Sequence, residues 1–343
     1  MNPTPYGRAA DKAAAKAHTW RAKHPDQGRQ VQALRSARLP PARAVEEVVG
    51  GLIRAHVTAC DRCEGGHLFG EDERGYSITR ECECAVLARQ ARRLTAAEVP
   101  AGTAIPTWET LEVNGVWSPA AAAAADLAEA IEAAGPDGPL PPGLVLAGPS
   151  GTGKTHTLGA IIRRLAIGQA GDHLQRRAAR ALAQLQRKHG GERHEGAHLV
   201  VPSVRFVSWF EAMGQVRAAM DGNRSGIVVE ALAAVPVLAI DELADAIGSD
   251  FEQRTLASLL VARDKAGCCT LVATNYHMGP AWLEAERGRP RRPDPNALAS
   301  RLQPHIVSRL GSLVAVEVTG ADRRLRGGRH RGELARRGRA DQS

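Results

Sequence analysis

Aromatic residues are scarce in this sequence: Phe, Tyr and Trp make up 3% of 343 residues, although hydrophobic residues together reach 43%. Such a chain can bury a large core, but the core must be built mainly from Ala, Leu and Val. Cysteine is scarce too, at six residues. Cys60, Cys63, Cys82 and Cys84 fall close together, which reads better as ligands in a reducing cytoplasm than as a disulfide framework. No run approaches the ~18 apolar residues that a membrane span needs. The polar, basic N-terminus lacks the apolar stretch of a signal peptide. The expected compartment is therefore the cytoplasm, with no membrane partner.

Charge is distributed unevenly. The net charge is +8, yet residues 1–44 hold nine Lys/Arg against two Asp, and residues 321–343 hold eight Arg against three acids. A nearly neutral body between two basic arms suggests contact with nucleic acid or an acidic partner. Four segments are expected: a basic helical arm over 1–57, a cysteine module over 58–95, an α/β domain over 96–326 and a basic tail over 327–343. Within the second, 58–86 reads as a loop region and 87–96 as helical. An Ala-rich helix over 119–134 is stopped by the Gly/Pro-rich run from Gly135 to Gly143. Short apolar strands then alternate with helical stretches, at 144–147, 204–207, 235–240, 270–274 and 313–318, as in a parallel sheet flanked by helices.

The chemistry starts at Gly148-Pro149-Ser150-Gly151-Thr152-Gly153-Lys154-Thr155. This fits G-x-x-x-x-G-K-[ST] after an apolar strand and before a helix, the setting a P-loop requires. Backbone N–H groups there turn toward phosphate oxygens, and the helix N-terminus adds positive potential. Lys154 should reach the β- and γ-phosphates of ATP, and the Thr155 hydroxyl should bind Mg²⁺. The strand ending in Asp241-Glu242 supplies the partner motif: Asp241 for Mg²⁺, Glu242 as general base toward the attacking water. Asn275, at the tip of another strand, is the candidate for positioning that water, with Thr274 beside it. Arg309 is the candidate for insertion into a neighbouring subunit's phosphate site, with Arg301 as its surface-bound alternative. Arg323 or Arg324 offers an arginine in cis.

In their order and spacing, these motifs make the sequence resemble the DnaC/DnaI-type bacterial helicase loaders, of phage or plasmid as well as chromosome, and their relatives the IstB-type transposition ATPases. The likeness runs from about Cys60 to Arg326 and includes His156 directly after the P-loop Thr, Arg205–Phe210, Val237–Leu243, Ala273–Asn275, Ser308–Leu310 and Gly320–Arg324. It implies an AAA+ ATPase in which Asn275 is sensor 1, Arg309 the trans finger and Arg324 sensor 2. It also implies self-assembly through the AAA+ interface and docking of residues 1–95 on a DnaB-type replicative helicase. The stretch 203–235 would line a channel for single-stranded DNA, with Arg217 and Arg224 as its cations. A transposition helper binding duplex DNA and a transposase is the alternative, and the cysteine module argues against it. A P-loop metabolite kinase is disfavoured by the late arginines and the basic arms.

Cys60-x-x-Cys63 and Cys82-x-Cys84 form two close pairs that a loop can join into a tetrahedral zinc site of four thiolates. The loader family often carries such a module. His67 in place of one Cys, or an iron–sulfur cluster, are the alternatives. Cys268 and Cys269 lack partners at ligand spacing and read as core thiols. The basic stretch 163–199, longer than the family usually has, reads as an amphipathic helix through Leu174, Ala178, Leu182 and Leu185. It is either a nucleic-acid contact or a solvated insertion.

Overall fold

The computed structural model describes residues 63, 67–99, 112–113, 116–168, 170–189, 201–220, 222, 224–245, 247–278 and 294–320. The arm over 1–57, Cys60, Arg323, Arg324 and the tail over 327–343 lie outside the described residues.

The first element corrects the sequence reading. Strands β1 (His67–Glu71) and β2 (Ser77–Glu81) pair as an antiparallel hairpin within the stretch expected to be loop. Asp72 makes the turn, its carboxylate accepting from the amides of Arg74 and Tyr76 at 2.9 Å each. Helix α1 (Glu83–Ala96) then starts four residues earlier than expected. A two-residue pair follows, β3 (Glu112–Val113) with β4 (Val116–Trp117).

Helix α2 (Pro119–Ala134) is capped by Ser118, whose side chain accepts from Ala121 N, and it ends at Gly135 with φ 62°. Its buried face is mostly Ala, so it packs closely against the sheet layer. The rest of the chain alternates: β5 (Gly143–Ala147), α3 (Lys154–Ile167), α4 (Ala170–His189), β6 (Val204–Ser208), α5 (Trp209–Ala218), α6 (Ser225–Ala234), β7 (Val237–Asp241), α7 (Asp250–Lys265), β8 (Cys269–Thr274), a 3-10 turn at Leu298–Ser300, α8 (Pro304–Leu310) and β9 (Val314–Glu317).

Five strands form one parallel sheet in the order β6-β7-β8-β5-β9. This is the expected α/β architecture, a P-loop nucleotide-binding core. Every residue of β5, β7 and β8 is buried. Such strands cannot alternate apolar with polar, because both faces meet helices. They alternate between two cores instead. Val145, Leu238, Ile240 and Val272 face the core shared with α5, α6, α7 and α8. Leu144, Leu146, Ala239 and Leu271 face the core shared with α2 and α3.

Arg263 of α7 is 0% exposed. Its guanidinium donates to Thr270 Oγ1 (2.9 Å), to the carbonyls of Leu232 (3.0 Å) and Val235 (2.8 Å), and to that of Cys269. It ties the end of α6 to the start of β8. Arg263→Met keeps the volume but strands several buried acceptors, each worth about 1–3 kcal/mol. Urea melts of this variant should show a loss of about 3 kcal/mol. A loss under about 1 kcal/mol would mean the carbonyls find other donors.

Within the basic stretch 163–199, Ala170–His189 form helix α4, and much of this helix's charge is engaged within the protein. Arg177 donates to the carbonyls of Gly135 and Gly138, and Arg180 to Asp137 at 2.7 Å. Lys188 and His189 both meet Glu230 at 2.8 Å. Leu174 and Ala178 are buried, and Leu182 and Leu185 pack on the core. The amphipathic helix expected here is present, docked across the α2–β5 connection and α6. His173 is buried as well, and burial together with Arg177 and Arg176 holds its pKa below the ordinary imidazole value.

Candidate nucleotide site

All strands of the parallel sheet end at the same edge, and the three that matter are neighbours: β7, β8 and β5. Ligands of open α/β sheets bind outside these carboxyl ends, where strand order reverses. Here the first strand, β5, lies between β8 and β9, so the loop after it opens at such a point.

That loop runs from Gly148 to Gly153. Gly148 has φ 143°, and a Cβ there would lie 2.2 Å from the Val318 carbonyl oxygen at the end of β9. Only glycine fits. Gly151 and Gly153 also adopt positive φ, 77° and 101°, and Gly153 is the N-cap of α3. Thr152 closes the loop by donating to Pro149 O at 2.9 Å. Pro149 and Ser150 are exposed, and His156 is half-buried in the first turn of α3.

Lys154 is 6% exposed. Its Nζ donates to Gly148 O and Pro149 O at 2.7 Å each and to Asn275 Oδ1 at 3.0 Å. Asp241, at the end of β7, is 7% exposed. Burial raises its pKa, opposed by a hydrogen bond from the Thr155 side chain, by the Glu242 amide (2.9 Å) and by the charge of Lys154. The Thr155 hydroxyl and the Asp241 carboxylate, drawn from distant parts of the chain, are thus in contact. This is a P-loop nucleotide-binding fold.

Glu242 follows Asp241 at φ 54° and is exposed. A left-handed conformation is uncommon for a residue with a Cβ and costs about 1–2 kcal/mol. Thr274 is buried, and its hydroxyl donates to Leu243 O at 2.8 Å, so it fixes the backbone behind the site. The sequence reading missed Asp245, whose Oδ2 accepts from Asn275 Nδ2 at 2.5 Å. Its signal was the run Asp241-Glu242-Leu243-Ala244-Asp245, which folds back on the strand tip.

The arginines lie elsewhere. Arg309, in the last turn of α8, is part-exposed and sits 3.6 Å from Asp264. Arg301 stands over the Tyr276 ring at 5.2 Å. Arg217 pairs with Glu252 in the first turn of α7, which occupies a cation expected to face DNA. Arg324 lies outside the described residues.

The cysteines form a second cluster. The sulfurs of Cys63, Cys82 and Cys84 lie within 4.8 Å of one another, and Cys63 Sγ is 3.4 Å from Cys84 Sγ. A tetrahedral zinc with Zn–S bonds of about 2.3 Å sets its sulfurs about 3.8 Å apart, so three thiolates at this spacing fit that ion. Cys60, the fourth expected ligand, is outside the described residues. His67 is exposed on β1 and not in the cluster. Cys82 is the N-cap of α1 and Cys84 lies in its first turn. The helix runs from the cluster to the core, where Arg93 meets Asp172 at 2.5 Å and Gln90 donates to Ile167 O at 2.8 Å. Beyond it, Ala97 O accepts from Phe206 N of β6 at 2.7 Å, and Glu98 pairs with Arg205. Cys269 is buried and its thiol is pushed up to about 12 by burial. Cys268, expected in the core, precedes β8 and lines a groove with Arg177 and Glu230.

No protein-family model matches the sequence, and no curated protein matches it. Among solved structures the chain is similar to DnaI, with 20% identity over 65% of this chain and 93% of that one, at a TM-score of 0.39. It is similar to the DnaC helicase loader at 18% identity, over 62% and 97% of the two chains, with a TM-score of 0.40. With AMPPCP-bound DnaA from Aquifex aeolicus the identity is 14%, the shares are 63% and 50%, and the TM-score is 0.40. No helix among the described residues is long and apolar enough to cross a membrane.

Proposed function

We propose that this chain is an ATP-driven helicase loader. In this reading it binds a DnaB-type replicative helicase and single-stranded DNA, and uses ATP binding and hydrolysis to deliver and release the helicase as DNA replication begins. The observation that carries the ATPase part is the contact of Thr155 with Asp241, beside Lys154 and Asn275. Lys154 offers its charge to the β- and γ-phosphates. A hydroxyl and a buried carboxylate side by side are the hard oxygen donors that Mg²⁺ takes along with substrate phosphates. When bound, that ion neutralises charge developing on the phosphates. Glu242 accepts the proton of the attacking water, and Asn275 orients that water.

Arg309 is assigned to a neighbouring subunit's site in an assembled ring or helix, and Arg324 to the site in cis. The loader part rests on the order of motifs and on the cysteine module. Cys63, Cys82 and Cys84, with Cys60, would hold a zinc that fixes the hairpin β1–β2 against α1. Exposed Phe69 and Tyr76 on and beside that hairpin are natural anchors for a protein partner.

The full chain, with ATP, should capture the replicative helicase of its host. It should also carry one zinc per chain, and chelation of that metal, or Cys84→Ser, should abolish capture while ATP binding persists. Failure of the zinc-loaded chain to capture helicase would sink the loader reading, and the transposase would become the next bait.

A further inference from the structure

After β7 the chain turns through Glu242, Leu243, Ala244 and Asp245. The turn is fixed to β8 at both polar groups of one residue: Leu243 N donates to Ala273 O at 2.9 Å, and Leu243 O accepts from Thr274 Oγ1 at 2.8 Å. Glu242 and Ala244 hold left-handed conformations, φ 54° and 76°, which reverse the chain in so few residues. The reversal delivers the Asp245 carboxylate to Asn275 Nδ2 at 2.5 Å, while Asn275 Oδ1 accepts from Lys154 Nζ at 3.0 Å.

An amide has one donating and one accepting end. A carboxylate only accepts, and an ammonium only donates. Both neighbours therefore impose the same rotation on Asn275; the flipped amide would set oxygen against carboxylate and NH2 against NH3+. When Lys154 turns to phosphate, its hold on Asn275 weakens. Asp245 remains, in a turn whose Leu243 is bonded to β8 on both sides.

We infer that Asp245 is a positioning residue for ATP hydrolysis: it fixes the Asn275 amide so that the oxygen end faces the reacting phosphate region. This rests on the ATPase reading above. Asp245 itself is exposed and carries no assigned contact with substrate. Its effect should fall on turnover and spare affinity, because a misaligned group costs rate more than binding.

The test is steady-state ATPase kinetics and nucleotide titration on the full chain. Asp245→Ala should lower kcat about 10-fold with KM and ATP affinity within about twofold of wild type. Asp245→Asn, which keeps an acceptor for Asn275, should recover most of that loss. Asn275→Ala combined with Asp245→Ala should be no slower than Asn275→Ala alone, since residues acting through one group are non-additive. An Asp245→Ala chain with wild-type kcat overturns the proposal, as do losses that multiply in the double variant. An Asp245→Asn chain as slow as Asp245→Ala, with multiplying losses, would make Asp245 a base in its own right. A wild-type chain without ATP turnover overturns the ATPase reading itself, and this role with it.

Discussion

Lys154→Ala should weaken ATP binding by about 100-fold or more, because each hydrogen bond to a charged group contributes about 1.5–3 kcal/mol and about 1.4 kcal/mol is tenfold in affinity. The side chain is 6% exposed, and its ammonium donates to two backbone carbonyls of the nucleotide loop and to Asn275. The carbonyls are neutral acceptors. Phosphate oxygens carry full charge and outcompete them, since hydrogen bonds between charged partners are roughly twice as strong as neutral ones. Glycine loop and helix N-terminus remain in the variant, so binding is weakened and not redirected. Titration with a fluorescent ATP analogue measures it. Equal affinities in the two chains would remove Lys154 from the site.

Glu242→Gln should leave nucleotide affinity within a few fold and lower turnover by about 10²–10³-fold, the range expected when a general base is lost. The substitution keeps size and side-chain length. It also keeps a residue with a Cβ at φ 54°, so the strain at this position is unchanged and cannot explain a loss of rate. Asp241 retains the amide hydrogen bond at 2.9 Å that Glu242 supplies from its backbone. A single-turnover measurement with pre-bound ATP isolates the chemical step. Turnover at the wild-type rate would pass the role of base to another acid, and Asp245 would be the first to replace.

The strands of the core were legible because they are short, apolar and punctuated: each expected span overlaps the observed one and shifts by only one or two residues. The P-loop was legible from residue types at fixed spacing, since its glycines answer to backbone geometry and need no partner from elsewhere. The hairpin β1–β2 was not. His67–Glu71 and Ser77–Glu81 are nearly all exposed, so no buried face imposes a period of two on them. The start of α1 was missed for a related reason: Cys82 and Cys84 read as a loop knuckle, while in the structure they form the N-cap and first turn of a helix. The role of α4 was open in the sequence because charge runs look alike whether solvated or paired. Its partners Asp137 and Glu230 are distant in sequence and come into view only in the fold. Asp245 was passed over for a related reason: it stands in an acidic run, but its partner Asn275 follows the neighbouring strand.

Ala97 and Glu98 meet β6, one of the two outer strands of the main sheet, with Phe206 N bonded to Ala97 O and Arg205 paired with Glu98. Outer strands with open amides recruit strands from other molecules and seed aggregation. β9, the opposite margin, is only four residues long, which limits what can align against it. β6 carries Val204, Phe206 and Val207, a sticky sequence once uncovered. The stretch joining the cysteine cluster to the core thus serves as a guard rail for solubility. A core trimmed to begin at α2 would lose it and should clump during refolding even with every nucleotide-site residue in place.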